Sequence, residues 1–191
     1  MRIISGSLKG KSIDFLKNMN TRPLKDSVKE NIFNILKHSN LFNVTTEKAI
    51  ILDLYSGIGS FGIECISRGA TKVTFVEQDK NAVNVLSKNL NKLSVIDKAN
   101  IFNQEVEKFL KNNLKQKFNI FFLDPPFSDK SFIKNLERIK NNKIFENKNI
   151  VIIHRERKNF EILENVINVI ETKNYGRSKI IFGFFNWVVL L

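Results

Sequence analysis

The chain has 191 residues, 42% hydrophobic and 26% charged, a composition that suits one folded domain and excludes a disordered chain. Lys+Arg 31 against Asp+Glu 19 leaves a formal charge of +12, which points to a polyanionic partner, nucleic acid ahead of an anionic membrane surface. The single cysteine, Cys65, excludes an internal disulfide and a multi-cysteine metal site, and suits a reducing cytoplasm.

No apolar run approaches the ~20 residues of a membrane span. The opening MRIISGSLKG lacks the apolar stretch of a signal peptide, so a cytoplasmic protein without a membrane partner is expected.

In chain order, RIISGSLKGKSI (2–13) gives strand-like pieces broken by Gly6 and Gly10, a basic arm carrying Arg2, Lys9 and Lys11. TRPLKDSVKENIFNILKH (21–38) predicts a helix with Pro23 near its start, Ser27 and Glu30 spaced as a capping box, and Val28, Ile32, Ile35 and Leu36 on its apolar face. IILDLY (50–55) reads as a strand, 60–68 as a helix closed by Gly69, and KVTFVE (72–77) as a second strand. Residues 79–93 follow as a helix with Asp79 as N-cap and Val83, Leu86, Leu90 and Leu93 on one face.

A short strand at 100–102, a helix at 105–112, the strand FNIFFLD (118–124), a helix at 130–140 and the strand NIVIIH (149–154) complete the alternation. Strands without a polar face, alternating with helices, predict an α/β Rossmann-like fold with a mostly parallel sheet. VINVIET (166–172), a turn at 174–178 and KIIFGFFNWVV (179–189) predict an antiparallel hairpin at a sheet edge. The expected organisation is one domain, 1–191, in which an arm and helix (1–40) are added to a core (48–191).

Two segments carry chemistry. LDLYSGIGSFGIE (52–64) places Gly57, Gly59 and Gly62 as GxGxxG between a strand and a helix, letting the backbone approach a ligand. Glu77 ends the next strand 20 residues beyond Gly57, where a carboxylate can accept from both hydroxyls of a ribose. An adenosine-containing cofactor follows, and the fingerprint alone also fits a nicotinamide dinucleotide. Asp53, at the start of the loop, would repel a pyrophosphate and attract the ammonium of a methionine moiety. S-adenosyl-L-methionine (SAM) is therefore the better fit.

The strand FNIFFL runs into Asp124, Pro125, Pro126 and Phe127. Two prolines fix the backbone and remove two donors, so the turn is expected to offer a carboxylate, outward carbonyls and a ring. That acceptor-rich set suits an exocyclic aromatic amine, held by Asp124 and the Pro125 carbonyl and stacked on Phe127. An ordinary turn after a core strand is the plain alternative, weakened by the glycine loop. Cys65 and Trp187 read as core.

The glycine loop with DPPF resembles the class I amino-methyltransferases. MRIISGSLKGKSI, TRPLKDSVKENIFNIL and SRGATKVTFVE resemble, more specifically, the RsmD-type bacterial 16S rRNA guanine-N2 methyltransferases. The resemblance runs from residue 1 to YGRSKIIFGF (175–184) and implies a seven-stranded methyltransferase sheet. It implies SAM as cofactor, with Tyr55 and Gln78 joining Asp53, the three glycines, Glu77 and Glu105 around it. Asp124 to Phe127 would be catalytic, and Arg2, Lys9, Lys11 and Arg22 would contact RNA.

The implied substrate is 16S rRNA in an assembled or assembling 30S subunit, met by a monomer, with no metal. Two departures stand out. Glu105 takes the usual Asp or Asn place, with Gln104 as its substitute, and His154 replaces the usual Glu at the fifth strand's end. His154 is read as structural or substrate-facing. An amino-methyltransferase for DNA, another RNA or a protein glutamine is the alternative enzyme, and a noncatalytic RNA-binding assembly protein the alternative of another class.

Overall fold

Runs such as FNIFFL need apolar cover on both sides, and the structure, a computed structural model describing residues 1–16, 24–38, 43–112 and 114–186, supplies it. One sheet is built from β1 (Ile50–Leu54), β2 (Lys72–Glu77), β3 (Ala99–Asn103), β4 (Phe118–Leu123), β5 (Phe145–Glu156), β6 (Asn168–Tyr175) and β7 (Ser178–Phe184). Its order is β3-β2-β1-β4-β5-β7-β6. The first five strands run parallel, and β7 pairs antiparallel with both β5 and β6.

The hairpin is thus present at the sheet edge as expected, with β7 beside β5 and β6 outermost. Its turn is shorter than expected: Tyr175 pairs with Ser178 across Gly176 and Arg177, with Gly176 at φ 58°. Trp187, and with it the expected end of that strand, lies outside the described residues.

The helices are α1 (Asp26–His38), α2 (Ser60–Ser67), α3 (Lys80–Lys92), α4 (Val106–Lys111) and α5 (Phe132–Asn141). Alternate residues of each strand feed two cores. Ile120 and Phe122 of β4 join α1, α2 and α3 on one face, while Phe121 and Leu123 join α4 and α5 on the other. Asp79 caps α3 as expected, its carboxylate accepting from the Asn81 amide at 2.8 Å. On that helix Leu86 and Leu90 are fully buried and Val83 only half so, and buried Asn89 turns inward to bond the Asp14 backbone at both ends of its amide.

The capping box does not form. Helix α1 already includes Asp26, so Ser27 lies inside the first turn, and its carbonyl accepts from Asn31 Nδ2 at 2.8 Å. Arg22 and Pro23 lie outside the described residues.

The basic arm is fastened to α2 rather than extended from it. Gly6 takes φ 83° where a Cβ would stand 1.9 Å from the Ser67 carbonyl oxygen. Buried Glu64 accepts from the Ile4 amide (2.9 Å), the Ser5 amide (3.0 Å) and Arg68 Nε (2.9 Å), with Lys29 Nζ of α1 at 3.6 Å. Lys29 and Glu64 are each 0% exposed, so neither charge has water as a partner. Replacing one member of such a pair leaves the other charge unneutralised, which costs about 3–5 kcal/mol. Glu64→Gln is expected to lower unfolding stability by about that amount, read from urea denaturation followed by circular dichroism.

Candidate active site

β1 and β4 end side by side, Leu54 opposite Leu123 in parallel register, and the chain leaves them toward opposite flanks of the sheet. Clefts form at the carboxyl ends of strands where the order reverses in this way. Here the cleft is a cavity of about 570 Å³, lined by Asp53 of β1 and Tyr55, Ser56 and Gly57 after it, Glu77 of β2 and Gln78 after it, and Asp124 to Ser128 after β4. Phe15, Leu16 and Leu24 of the N-terminal segment also line it, a contribution no local motif announces.

The loop after β1 turns through left-handed backbone at Tyr55 (φ 57°), Gly57 (φ 54°) and Gly59 (φ 80°). For a tyrosine this conformation is uncommon, and its hydroxyl is held by Asn135 Nδ2 of α5 at 2.9 Å. The three glycines divide in function. Gly57 lines the cavity and has open space where a Cβ would stand. At Gly59 a Cβ would meet Leu86 Cδ1 at 2.3 Å, and at Gly62 it would meet the Phe75 ring at 2.3 Å. Those two therefore serve helix packing, and neither lines the cavity.

Glu77 holds this loop from across the cleft, accepting from the Gly57 amide through one oxygen and the Asp79 amide through the other, each at 2.8 Å. Each oxygen keeps a lone pair for a ligand hydroxyl. Gln78 is exposed at the rim. Glu105 is exposed ahead of α4, and the cavity wall there is made by its neighbours Gln104 and Val106.

Asp53 is 1% exposed. Its Oδ2 accepts from the Gly62 amide at 3.0 Å, but its buried Oδ1 has no partner among the described residues. Burial pushes this carboxyl well above the usual carboxylate range, and the charges of Asp124 and Glu77 push it the same way. The Ser56 hydroxyl is a second buried polar atom without a partner among the described residues. An unpaired buried acceptor, crowded by negative charge in a cavity wall, fits a cationic group such as the ammonium of SAM.

After β4, the DPPF turn is held differently from expectation. The Pro126 carbonyl does not face outward: it accepts from Arg155 Nη1 at 3.0 Å and from the Asp129 amide at 2.8 Å. The Phe127 carbonyl accepts from Arg155 Nη2 and Asn159 Nδ2, both at 3.0 Å. Arg155, 1% exposed, also reaches the Asp129 carbonyl, pairs with Glu161 at 2.9 Å and lies over the Phe132 ring at 4.5 Å. Glu161 in turn pairs with Lys179 of β7 at 2.8 Å. The guanidinium thus sets the turn that two prolines stiffen.

Asp124, Pro125, Pro126, Phe127 and Ser128 all line the cavity. Asp124 Oδ1 lies 2.9 Å from His154 Nδ1, and the same imidazole meets the Phe127 ring edge-on at 5.7 Å. His154 is therefore tied to the acid of the turn, which a lone histidine at a strand end did not reveal. Arg155 was not legible either, since its partners are distant in sequence.

The arm cations stand elsewhere. Leu8 is bonded to Ser67 at the far end of α2, about 10 Å along the helix from cavity-lining Ser60, and exposed Lys9 follows it. Lys11, also exposed, bonds through its carbonyl to the Ile3 amide, and Arg2 pairs with Ser12 near the cavity end of the arm. Arg22 is outside the described residues.

The strand order, the turn after β1 and the acid after β4 define a class I methyltransferase fold. Residues 1–184 match the family model described as conserved hypothetical protein 95. A candidate rRNA methyltransferase of Bacillus subtilis, YlbH, is 32% identical over 180 residues, covering 92% of this chain and 94% of that protein. The ribosomal RNA small subunit methyltransferase D of Buchnera aphidicola (Acyrthosiphon pisum) is 31% identical over 156 residues, 82% of this chain and 78% of that one. Among solved structures, a methylase candidate from Haemophilus influenzae superposes with a TM-score of 0.76 at 28% identity, covering 97% of this chain and 98% of that chain. The chain belongs to this family, the RsmD-type methyltransferases.

Two measurements test the site. Because Asp53 ionises later than an ordinary carboxyl, it is neutral at low pH and attracts a cation only above its raised value. SAM binding by calorimetry is expected to tighten as pH rises through that range, and Asp53→Asn to weaken binding and flatten the dependence. Arg155→Lys keeps the charge but cannot span three carbonyls. It is expected to lose about 3 kcal/mol, seen as a fall in Tm of roughly 6–12 °C.

Proposed function

We propose that this chain transfers a methyl group from SAM to the exocyclic N2 amine of a guanine in 16S rRNA. The observation that carries this reading is the Asp124 carboxylate, anchored by one oxygen to His154, in the same cavity as the unpaired Asp53 Oδ1. Asp53 would hold the ammonium of SAM, Glu77 the ribose through its remaining lone pairs, and Gln78 and Gln104 the adenine edge. Bound there, SAM supplies an electrophilic methyl group on a sulfonium.

The chain's own residues then place the nucleophile. An aromatic amine is a weak nucleophile because its lone pair is delocalised. Asp124 Oδ2 and the Pro125 carbonyl accept its two hydrogens, which favours a pyramidal nitrogen with the lone pair directed at the methyl group. The nitrogen forms the new bond as the methyl group leaves sulfur, and the methylated amine releases its surplus proton to water. No general base is needed, so His154 acts by fixing the Asp124 rotamer and buttressing Phe127. Rate comes from placement.

The rRNA substrate is supported by family membership, by the names of the relatives and by the charge of +12. Guanine N2 is the target that the resemblance implies, since the acceptors alone suit any exocyclic amine. The reading includes an assembled or assembling 30S subunit as substrate, a monomeric enzyme and a cytoplasmic location. Among the described residues no helix is long and apolar enough to cross a membrane.

Asp124→Ala is expected to leave SAM binding intact and to lower methyl transfer to rRNA by about 100-fold or more. Near-normal turnover by that variant would remove Asp124 from the mechanism. Mapping methylated nucleotides in rRNA from cells with and without the gene tests the substrate. A methylated DNA or protein glutamine instead, or no SAM binding at all, would favour the alternatives.

A further inference from the structure

The segment between β5 and β6 presents a second surface beside the cavity. Its alternate residues are anchored inward. Asn159 Nδ2 donates to the Phe127 carbonyl at 3.0 Å, and the Asn159 carbonyl accepts from Lys179 Nζ. Glu161 is gripped by Arg155 and Lys179, and Leu163 is 2% exposed in the core. With 159, 161 and 163 turned in, Phe160 and Ile162 are forced out, and they stand 89% and 61% exposed. Single exposed apolar residues are ordinary, but these two share one face of an anchored segment directly attached to the DPPF turn.

The surroundings are cationic. Arg157 and Lys158 precede Phe160 and are exposed, and the Arg157 amide bonds the carbonyl of exposed Arg177 at 2.8 Å, bringing the β6–β7 turn alongside. Lys158 sits 3.5 Å from Glu156, which also lines the cavity rim. An exposed ring among Arg157, Lys158 and Arg177 matches what an unpaired nucleotide offers, a flat base and a phosphate. A protein partner would find an apolar area of only two side chains there.

Resting on the function proposed above, we propose that Phe160 is a stacking platform for an unpaired nucleotide next to the target guanine. Arg157, Lys158 and Arg177 would hold its phosphates, and Ile162 would flank the ring. Because Asn159 and Arg155 fasten this segment to the turn carrying Asp124, a nucleotide stacked there would set the reach of its neighbour into the cavity. This locates the nucleic-acid contact at the rim of the site, whereas Lys9 lies at the remote end of the arm.

The test uses the full chain with SAM and two substrates, deproteinised 16S rRNA and 30S particles from cells lacking the gene. On whichever is methylated, Phe160→Ala is expected to lower kcat/KM by roughly 5–100-fold through KM, as loss of one stacked base does. SAM affinity and Tm should be unchanged. Phe160→Trp should restore kcat/KM and Phe160→Leu should not. Equal kcat/KM for Phe160→Ala and the parent overturns the platform, as does rescue by Leu, which would mark a merely apolar contact. A defect confined to 30S particles, with filter binding of deproteinised rRNA unchanged, also overturns it in favour of a ribosomal-protein contact. Absence of any methyl transfer to rRNA by the parent chain would instead overturn the proposed function.

Discussion

Leu54 and Leu123 stand opposite each other at the centre of the sheet, and the site depends on that pairing. It brings the glycine loop and the DPPF turn to one level, and a slip of one residue would turn every side chain of β4 to the other face. Asp53 and Asp124 then meet across one cavity, close enough for each negative charge to raise the difficulty of ionising Asp53. A sheet that gathers carboxylates with an unpaired oxygen among them is prepared for a cation. The two cores, one on each face of the sheet, hold this arrangement in place.

The legible parts of this architecture were those encoded locally. Period and composition gave the parallel strands, the helices and the hairpin, and the spacing of Gly57 to Glu77 and the run into Asp124 gave both halves of the cavity. What escaped was set by distant partners. Ser27 looked like a helix cap, but Asp26 had already entered the helix. Gly59 and Gly62 looked like ligand glycines, but each leaves room for a side chain of another element, Leu86 or Phe75. The DPPF carbonyls looked outward-facing because nothing near them in sequence predicts Arg155, whereas the hairpin stands at the sheet edge as its pattern implied.

The arm illustrates the same division. Its cations were visible, but its placement follows from Glu64, a helix residue whose carboxylate ties two backbone amides of the arm and sits by Lys29. Through Phe61, stacked on Phe33 of α1 and on Phe122 of β4 at 5.2 and 4.0 Å, the same region is in register with the strand that bears Asp124. The arm and α1 therefore share the core of the site's scaffold, and Leu16 and Leu24 reach the cavity as part of it.

The bracket on the DPPF turn has a consequence for biosynthesis. Glu161, which holds Arg155, is itself held by Lys179 of β7, and β7 pairs with β5 only after the intervening β6 has been made. A chain emerging from the ribosome can complete β1 to β5 and the cofactor loop while Arg155 and Glu161 still lack their third member. The bracket on the DPPF turn is therefore complete only once Lys179 has been made.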